Sequence, residues 1–250
     1  MDPTDANGQV TFESREAPLS VAVLGTGIAV CWLANYVGML CKSYQDRTYA
    51  MALMPLCCNF AWELVHGFIT PEKNGMWPAV YVCWSGLNVA VIYTAMKFAP
   101  NEWEHAPLVQ RNIRYIFAIS IVGWITVHLA LVIHMGPHLA QGWGAMVCQL
   151  LLSAGALCQL LVRGSTRGTS FFLWATRFIG TSLCLPHEIL RYHYGYTDVI
   201  FNSPLGWWGT AAFFILDVSY GICLWNIYKY EETHQIKGGG RQKTCMSGKD

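Results

Sequence analysis

The sequence predicts an all-α membrane protein, a bundle of seven transmembrane helices. Only 12% of its 250 residues are charged, whereas an average soluble domain has about 25%, and 54% are hydrophobic. A soluble globule of this size could not remove so much apolar surface from water. The same composition excludes intrinsic disorder, and the net charge of +1 gives no sign of nucleic-acid binding.

Seven segments are long and apolar enough to cross a bilayer, which takes about 20 mainly apolar residues. The run over residues 115–162 is free of charge but too long for one crossing. Gly136-Pro137 inside it predicts a break between two helices. With that break the expected spans lie within 17–41, 48–71, 74–96, the two halves of 115–162, 168–190 and 205–228.

The basic residues predict the orientation of the bundle. With seven spans, the side that holds the N-terminus carries only Arg15, Lys73 and Arg191, and twelve other Lys and Arg lie on the opposite side. Loops rich in Lys and Arg remain in the cytosol. The N-terminus is therefore expected in the lumen and the C-terminus in the cytosol.

The spans also predict the domain organisation. Residues 1–18 are expected to be a short luminal segment, 19–228 the seven-helix domain and 229–250 a flexible cytosolic tail. The first segment is acidic and lacks a basic n-region, so we expect no cleavable signal peptide. The first span is then the expected insertion signal.

Two carboxylic acids lie in the middle of predicted spans. Glu63 is in the second span and Asp217 in the seventh. A charge at the centre of a membrane helix costs about 2.5–3.5 kcal/mol, so an ionisable residue there predicts a functional role. From the helical rise, Glu63 lies about 6 Å to the luminal side of the centre of its span, and Asp217 within about 2 Å of its own centre. Two acids at similar depth are expected to line one pocket.

The neighbours of these acids suggest acid chemistry. Helical spacing places Asn59 and His66 on the face of Glu63, and Phe213 and Tyr220 beside Asp217. Burial disfavours the ionised form of a carboxyl group, so both acids are expected to keep a proton. Such an acid can protonate a basic oxygen of a lipid-like substrate or relay a transported proton. The alternative is an interhelical hydrogen bond that only stabilises the bundle.

Other polar and aromatic residues complete the candidate site. Four tryptophans lie deep in their spans, where their rings could stabilise a cation. Arg177 and Glu188 are eleven residues apart, close to three helical turns, but Pro186 between them interrupts the regular spacing. We expect a structural ion pair, or an Arg177 side chain that extends toward the membrane surface, rather than a catalytic role. The candidate pocket residues are Asn59, Trp62, His66, Trp32, Trp84, Phe213, Tyr220 and Trp225.

We expect neither a metal nor a cofactor. Of the histidines at 128, 134 and 138, the last two are separated by the Gly136-Pro137 break, which argues against a shared metal ion. The ten cysteines contain no Cys-x-x-Cys pair and are expected to be buried free thiols.

Several motifs, in order, carry a resemblance to a known family. They are residues 54–66 (MPLCCNFAWELVH), 98–109 (FAPNEWEHAPLV), 148–153 (CQLLLS) with 158–161 (CQLL), 163–168 (RGSTRG) and 217–225 (DVSYGICLW). With them the chain resembles the small fungal integral-membrane terpene cyclases of meroterpenoid and indole-diterpene biosynthesis, the type of the pyripyropene and paxilline pathways. Residues 182–200 match no pattern of this family.

The resemblance implies a fold, a reaction and two site residues. Members have seven helices and use acid to open the terminal epoxide of a farnesyl or geranylgeranyl chain on an aromatic or indole compound. Rings then close through a carbocation cascade without metal. The key carboxylates of the family carry over to Glu63 and Asp217. The implied location is the endoplasmic reticulum, and the implied partners are the lipophilic substrate, membrane lipid and a pathway epoxidase and prenyltransferase.

Two other functions fit a seven-helix membrane protein with buried acids. A receptor is one, but the seventh span lacks an Asn-Pro-x-x-Tyr turn and Asp46-Arg47 precedes the second span rather than ending the third. A proton-coupled transporter is the other, but the two halves of the chain show no repeat.

Overall fold

A computed structural model gives the architecture, and it describes residues 18–71, 75–194, 200 and 203–246. Side chains are described as far as His234. Within these ranges the chain is helical and contains no strand. The expected luminal segment lies outside the described residues except for residue 18, as does the end of the expected tail.

The first half of the chain forms four long or medium helices. Helix α1 spans Leu19–Asp46 and α2 spans Leu53–Leu64, continuing as a π-helix over Val65–Ile69. Helix α3 spans Trp77–Phe98, a 3₁₀ turn follows, and α4 spans Pro107–Met135.

The second half contains the expected break. Helix α5 spans Pro137–Arg163 and starts directly after α4. Between them Gly136 has φ of 82°, a conformation that favours glycine, and proline is well suited to the first turn of a helix. The break predicted from Gly136-Pro137 is thus confirmed. Helices α6, α7 and α8 span Phe171–Ser182, Cys184–His193 and Pro204–Met246.

The sixth expected span is not one continuous helix. It is divided at Leu183 into α6 and α7. Pro186 explains the division, because it has no N–H to donate to the carbonyl of Ser182 and its ring crowds that carbonyl. Helix α8 continues past residue 228, where we expected the membrane domain to end, so the domain boundary there stays a prediction.

Among the described residues, five helices are individually long and apolar enough to cross a membrane. They are α1, α3 with its 3₁₀ turn, α4, α5 and the Pro204–His234 part of α8. The second expected span is the shorter apolar helix Leu53–Ile69, and the sixth is the α6–α7 pair. The outer surface carries large apolar side chains, as expected for a protein surrounded by lipid, among them Leu108, Tyr115, Ile119, Val122 and Ile133.

Helix α2 lies at the centre of the bundle. It packs against α3, α4 and α5, and α1 packs against α3, α6 and α7. Helix α8 lies at the margin, against α5 and α6. The main apolar core accordingly comes from α1 to α5 and includes Tyr36, Leu56, Cys58, Val91 and Leu152.

Charged residues join three loops at one end of the bundle. Glu102, after α3, accepts a hydrogen bond from Thr48 Oγ1 at 2.7 Å and forms ion pairs with Arg167 Nη1 at 2.9 Å and with Arg163 Nε at 3.5 Å. Asp46, at the end of α1, accepts from the backbone N–H of Gly168 at 2.7 Å. Two motifs that carry the family resemblance, 98–109 and 163–168, therefore meet here.

Candidate active site

Glu63 is completely buried and is held by three neutral donors from three helices. Its Oε1 accepts from the Tyr36 hydroxyl at 2.6 Å and from Asn59 Nδ2 at 3.0 Å. Its Oε2 accepts from Asn88 Nδ2 at 3.1 Å. Tyr36 lies on α1, Asn59 one turn earlier on α2, and Asn88 on α3. No Lys, Arg or His is among these hydrogen-bond partners.

Aromatic rings line the core beside Glu63. Trp62 lies 5.3 Å from Tyr81 between ring centroids, and Tyr81 lies 5.7 Å from Trp84. Trp32, one turn before Tyr36 on α1, lies 6.0 Å from the Tyr36 ring. The expected tryptophans 32, 62 and 84 thus come together near one acid. The sequence reasoning missed Tyr36 and Tyr81, although each is three or four residues from one of these tryptophans.

Several buried polar atoms near this wall have no hydrogen-bond partner within the described residues. On α3 they are Trp84 Nε1, Ser85 Oγ and Asn88 Oδ1, which share one helical face. His66 Nε2 is a further such atom on the Glu63 segment. A buried polar group left unpaired costs about 1–3 kcal/mol. These unpaired atoms lie on the helices around Glu63, as expected of a site that binds a polar part of a substrate.

Asp217 has a different environment from the one expected. It is completely buried, but Arg177 Nε donates to its Oδ1 at 3.0 Å and Arg177 Nη2 makes a second, shorter contact. Ser153 Oγ donates to Oδ2 at 2.5 Å. The expectation of an acid surrounded by aromatic rings alone is therefore corrected: Asp217 lies directly against the buried guanidinium of Arg177.

The expected ion pair between Arg177 and Glu188 is wrong. Glu188 instead accepts from His187 Nδ1 at 3.0 Å and pairs with Arg191 at 3.1 Å. The division of the span at Leu183 explains the difference, because an eleven-residue spacing keeps one face only along an uninterrupted helix.

The two acids belong to separate clusters. The partners of Glu63 lie on α1, α2 and α3, whereas the side-chain partners of Asp217 lie on α5 and α6. They share no hydrogen-bond partner among these contacts. The apolar residues around them also fall into two clusters, one with Trp62 and one with Tyr220, and a pocket lined by both acids stays a prediction.

The remaining pocket candidates fall on the Asp217 side. Phe213 is buried, with its ring 6.0 Å from that of Phe178. Tyr220 is buried, hydrogen-bonds Thr169, and has the Arg177 guanidinium 4.8 Å from its ring centre. Trp225 is 53% exposed on the outside of α8, so its expected place in a pocket is wrong. It follows the fully buried Leu224, and consecutive helical positions point in different directions.

A cluster of thiols and a histidine lies behind Glu63. Cys58 Sγ lies 3.5 Å from Cys148 Sγ and 3.7 Å from His128 Nε2. These three buried groups could hold one soft metal ion. His128 Nε2 also lies 3.3 Å from the Cys58 carbonyl oxygen. When no metal ion is bound, this carbonyl is a suitable acceptor for a hydrogen bond from Nε2–H of His128. The sequence reasoning missed this cluster because its members come from three helices.

The cysteines differ in burial more than expected. Cys57, Cys58 and Cys148 are buried free thiols, as predicted. The free thiols of three others are exposed on the outer surface, and these are Cys41, Cys83 and Cys158. An apolar side chain in a membrane span can face either lipid or protein. A position deep in a span therefore does not imply burial in the protein core.

Comparisons with known proteins give a consistent result. A family model described as Pyr4-like transmembrane terpene cyclases matches residues 13–230, which include both buried acids. Terpene cyclase dpmpB of Macrophomina phaseolina (strain MS6) is 55% identical over 217 residues, covering 86% of this chain and 89% of the relative.

Two further relatives match over more of the chain. Terpene cyclase nodB of Hypoxylon pulicicidum is 49% identical, covering 92% of this chain and 95% of the relative. Terpene cyclase penB of Penicillium crustosum is 47% identical, covering 93% and 95%. No solved structure matches the chain.

Proposed function

Because the chain belongs to the Pyr4-like transmembrane terpene cyclases, we propose that it starts ring closure by protonating an epoxide from within the membrane. The proposed substrate is an aromatic or indole compound with a farnesyl or geranylgeranyl chain that ends in an epoxide. Family membership sets aside the receptor and transporter alternatives.

We assign the proton donor to Glu63, and the observation that carries this assignment is its set of partners. All three hydrogen bonds to its carboxyl group come from neutral side chains, so no cation holds it in the ionised form. Burial disfavours the charge, and this leaves a carboxylic acid able to give its proton to a basic oxygen. Asp217, paired with Arg177, is assigned a positioning role instead.

The proton is best placed on Oε2. Oε1 accepts two hydrogen bonds, from Tyr36 and Asn59, whereas Oε2 is bonded only to Asn88. As the proton moves to the epoxide oxygen, the C–O bond breaks and its electron pair stays on oxygen as a hydroxyl. The carbocation that forms accepts the electron pair of the next alkene, and each such step closes one ring.

The surroundings of Glu63 suit a carbocation. The rings of Trp62, Tyr81 and Trp84 are directed into the same core, and each aromatic face can contribute about 0.5–2 kcal/mol to binding a cation. The surrounding helices and lipid exclude water that would capture the cation as an alcohol.

The same proposal includes the membrane arrangement. Seven crossings follow if Leu53–Ile69 and the α6–α7 pair each span the bilayer beside the five long helices. The N-terminus is then luminal, the C-terminus cytosolic and the membrane that of the endoplasmic reticulum. An epoxidase and a prenyltransferase are the proposed pathway partners, because the substrate needs both an epoxide and a prenyl chain.

The test uses microsomes containing the protein, supplied with an epoxyfarnesyl aromatic and an epoxygeranylgeranyl indole. Cyclisation leaves the mass unchanged, so chromatography must resolve the isomers. Glu63→Gln keeps the side-chain shape but removes the acid, and we expect it to lower cyclisation by about 10²–10⁴-fold at an unchanged protein level.

The matched control is Glu104→Gln, the same chemical change at an exposed position, which should keep full activity. Normal turnover by Glu63→Gln would rule out Glu63 as the acid. Wild-type protein that converts neither substrate would contradict the proposed substrate class.

A further inference from the structure

The residue of interest is His66, one helical turn after Glu63. It is 1% exposed and lies in the π-helix Val65–Ile69. There the backbone N–H of Thr70 donates to the Val65 carbonyl at 2.8 Å, five residues back. Single π turns are rare and occur frequently at functional sites.

The hydrogen bonds of Thr70 determine where the proton of His66 lies. Thr70 Oγ1 is 3.3 Å from the Val65 carbonyl oxygen and 3.2 Å from His66 Nδ1. The carbonyl can only accept, so the single hydroxyl hydrogen is donated to it. The hydroxyl oxygen then accepts from Nδ1–H. This fixes the neutral tautomer in which Nε2 carries a lone pair.

Nε2 is a buried acceptor without a hydrogen-bond partner within the described residues. The imidazole ring lies 5.7 Å from the ring of Trp62, which belongs to the aromatic wall beside Glu63. The ring of His128 lies 6.4 Å from that of His66. The lone pair of Nε2 is thus held in the same part of the core as the proposed acid, and protonation of the epoxide by Glu63 does not use it.

We propose that His66 is the base that ends the cyclisation. This assignment rests on the proposed function, because a cascade that begins when the substrate gains a proton must end when the substrate loses one. Nε2 takes a proton from the carbon next to the last carbocation, and the electrons of the broken C–H bond form the alkene of the product. Transfer of this proton back to the Glu63 carboxylate restores both groups, so the reaction is an isomerisation.

The spacing along the helix suits the two roles. Both residues are buried, and the ring of Trp62, the chain neighbour of Glu63, lies 5.7 Å from the ring of His66. A substrate folded into rings with its epoxide at Glu63 therefore has its later cationic centres within reach of His66. Acid and base stay distinct because Tyr36 and Asn59 bind Glu63, whereas Thr70 binds His66.

The test is the product distribution of His66→Phe, which keeps a ring but removes the base. Glu63 still opens the epoxide, so substrate should still be consumed. The normal product should fall at least about tenfold, replaced by isomeric alkenes and by alcohols formed when water captures the cation. His138→Phe, at an exposed position of α5, is the matched control and should give the normal product.

A second variant keeps the inference testable if His66→Phe does not accumulate. Thr70→Val removes the group that fixes the tautomer, and it should shift products in the same direction by a smaller factor. A normal product distribution in both variants would overturn the assignment. So would loss of substrate consumption in His66→Phe at normal protein level, because that is the behaviour expected of an initiating group. If Glu63→Gln turned over normally while His66→Phe still diverted products, the acid assignment would fail and the base would stand.

Discussion

The two buried acids have hydrogen-bond partners of different charge. Glu63 is bound by a hydroxyl and two amides, all of them neutral, whereas Asp217 is bound by a guanidinium and a hydroxyl. The sequence could locate both acids, because a charge in an apolar segment is conspicuous. It could not distinguish them, because Arg177 and Asp217 are forty residues apart and only the packing of α6 on α8 joins them.

Asp217→Asn should affect stability more than Glu63→Gln does. The substitution leaves the buried Arg177 without its counter-charge, which costs about 3–5 kcal/mol. We expect a clear fall in the thermal unfolding midpoint of the detergent-solubilised protein. Replacing both partners together, with Arg177→Met and Asp217→Leu, should recover much of the loss. An Asp217→Asn protein of normal stability but without activity would instead assign Asp217 to proton transfer.

At the scale of elements, the composition of the sequence predicted where the helices lie but only some of the places where they are interrupted. The Gly136-Pro137 break was predictable, because both residues act on the backbone locally. The π-helix over Val65–Ile69 was not, because its apolar sequence suits an ordinary α-helix equally well. Contacts such as Asn35 Nδ2 to the Leu173 carbonyl, at 2.6 Å, depend on which helices become neighbours and leave no local pattern.

Gly168, in the loop between α5 and α6, occupies a position that requires glycine. Its φ is +78°, and an added Cβ would lie 2.8 Å from Thr48 Cγ2 and 3.0 Å from the Tyr49 carbonyl oxygen. Gly168→Ala should lower the free energy of unfolding by about 1–3 kcal/mol, seen as a lower unfolding midpoint. The control is Gly86→Ala, an exposed helical position with open space around it, which should be neutral or stabilising. Equal midpoints for the two variants would contradict this account of the loop.

At the scale of the whole molecule, charge is concentrated where helices end. Glu102, Arg163, Arg167 and Asp46 bind one another and join three loops at the end of the bundle that we expect in the cytosol. The excess of basic residues on one side was readable from the sequence. Their pairing with Glu102 was not, because it requires loops more than fifty residues apart to meet.

The expected orientation can be measured directly. In sealed microsomes, an epitope tag at the C-terminus should be removed by added protease, and a tag at the N-terminus should be protected until detergent is added. Protection of both tags or exposure of both would contradict an odd number of crossings. The reversed pattern would contradict the positive-inside assignment.

The apolar outer surface determines how a substrate meets this protein. The prenyl chain of the proposed substrate gains about 0.8 kcal/mol for each CH₂ group that it buries in lipid, so this substrate should accumulate in the bilayer that holds the enzyme. Encounter then takes place by diffusion in two dimensions. The rate of cyclisation should accordingly depend on the mole fraction of substrate in the membrane, and diluting it with inert lipid would slow turnover at a constant total amount.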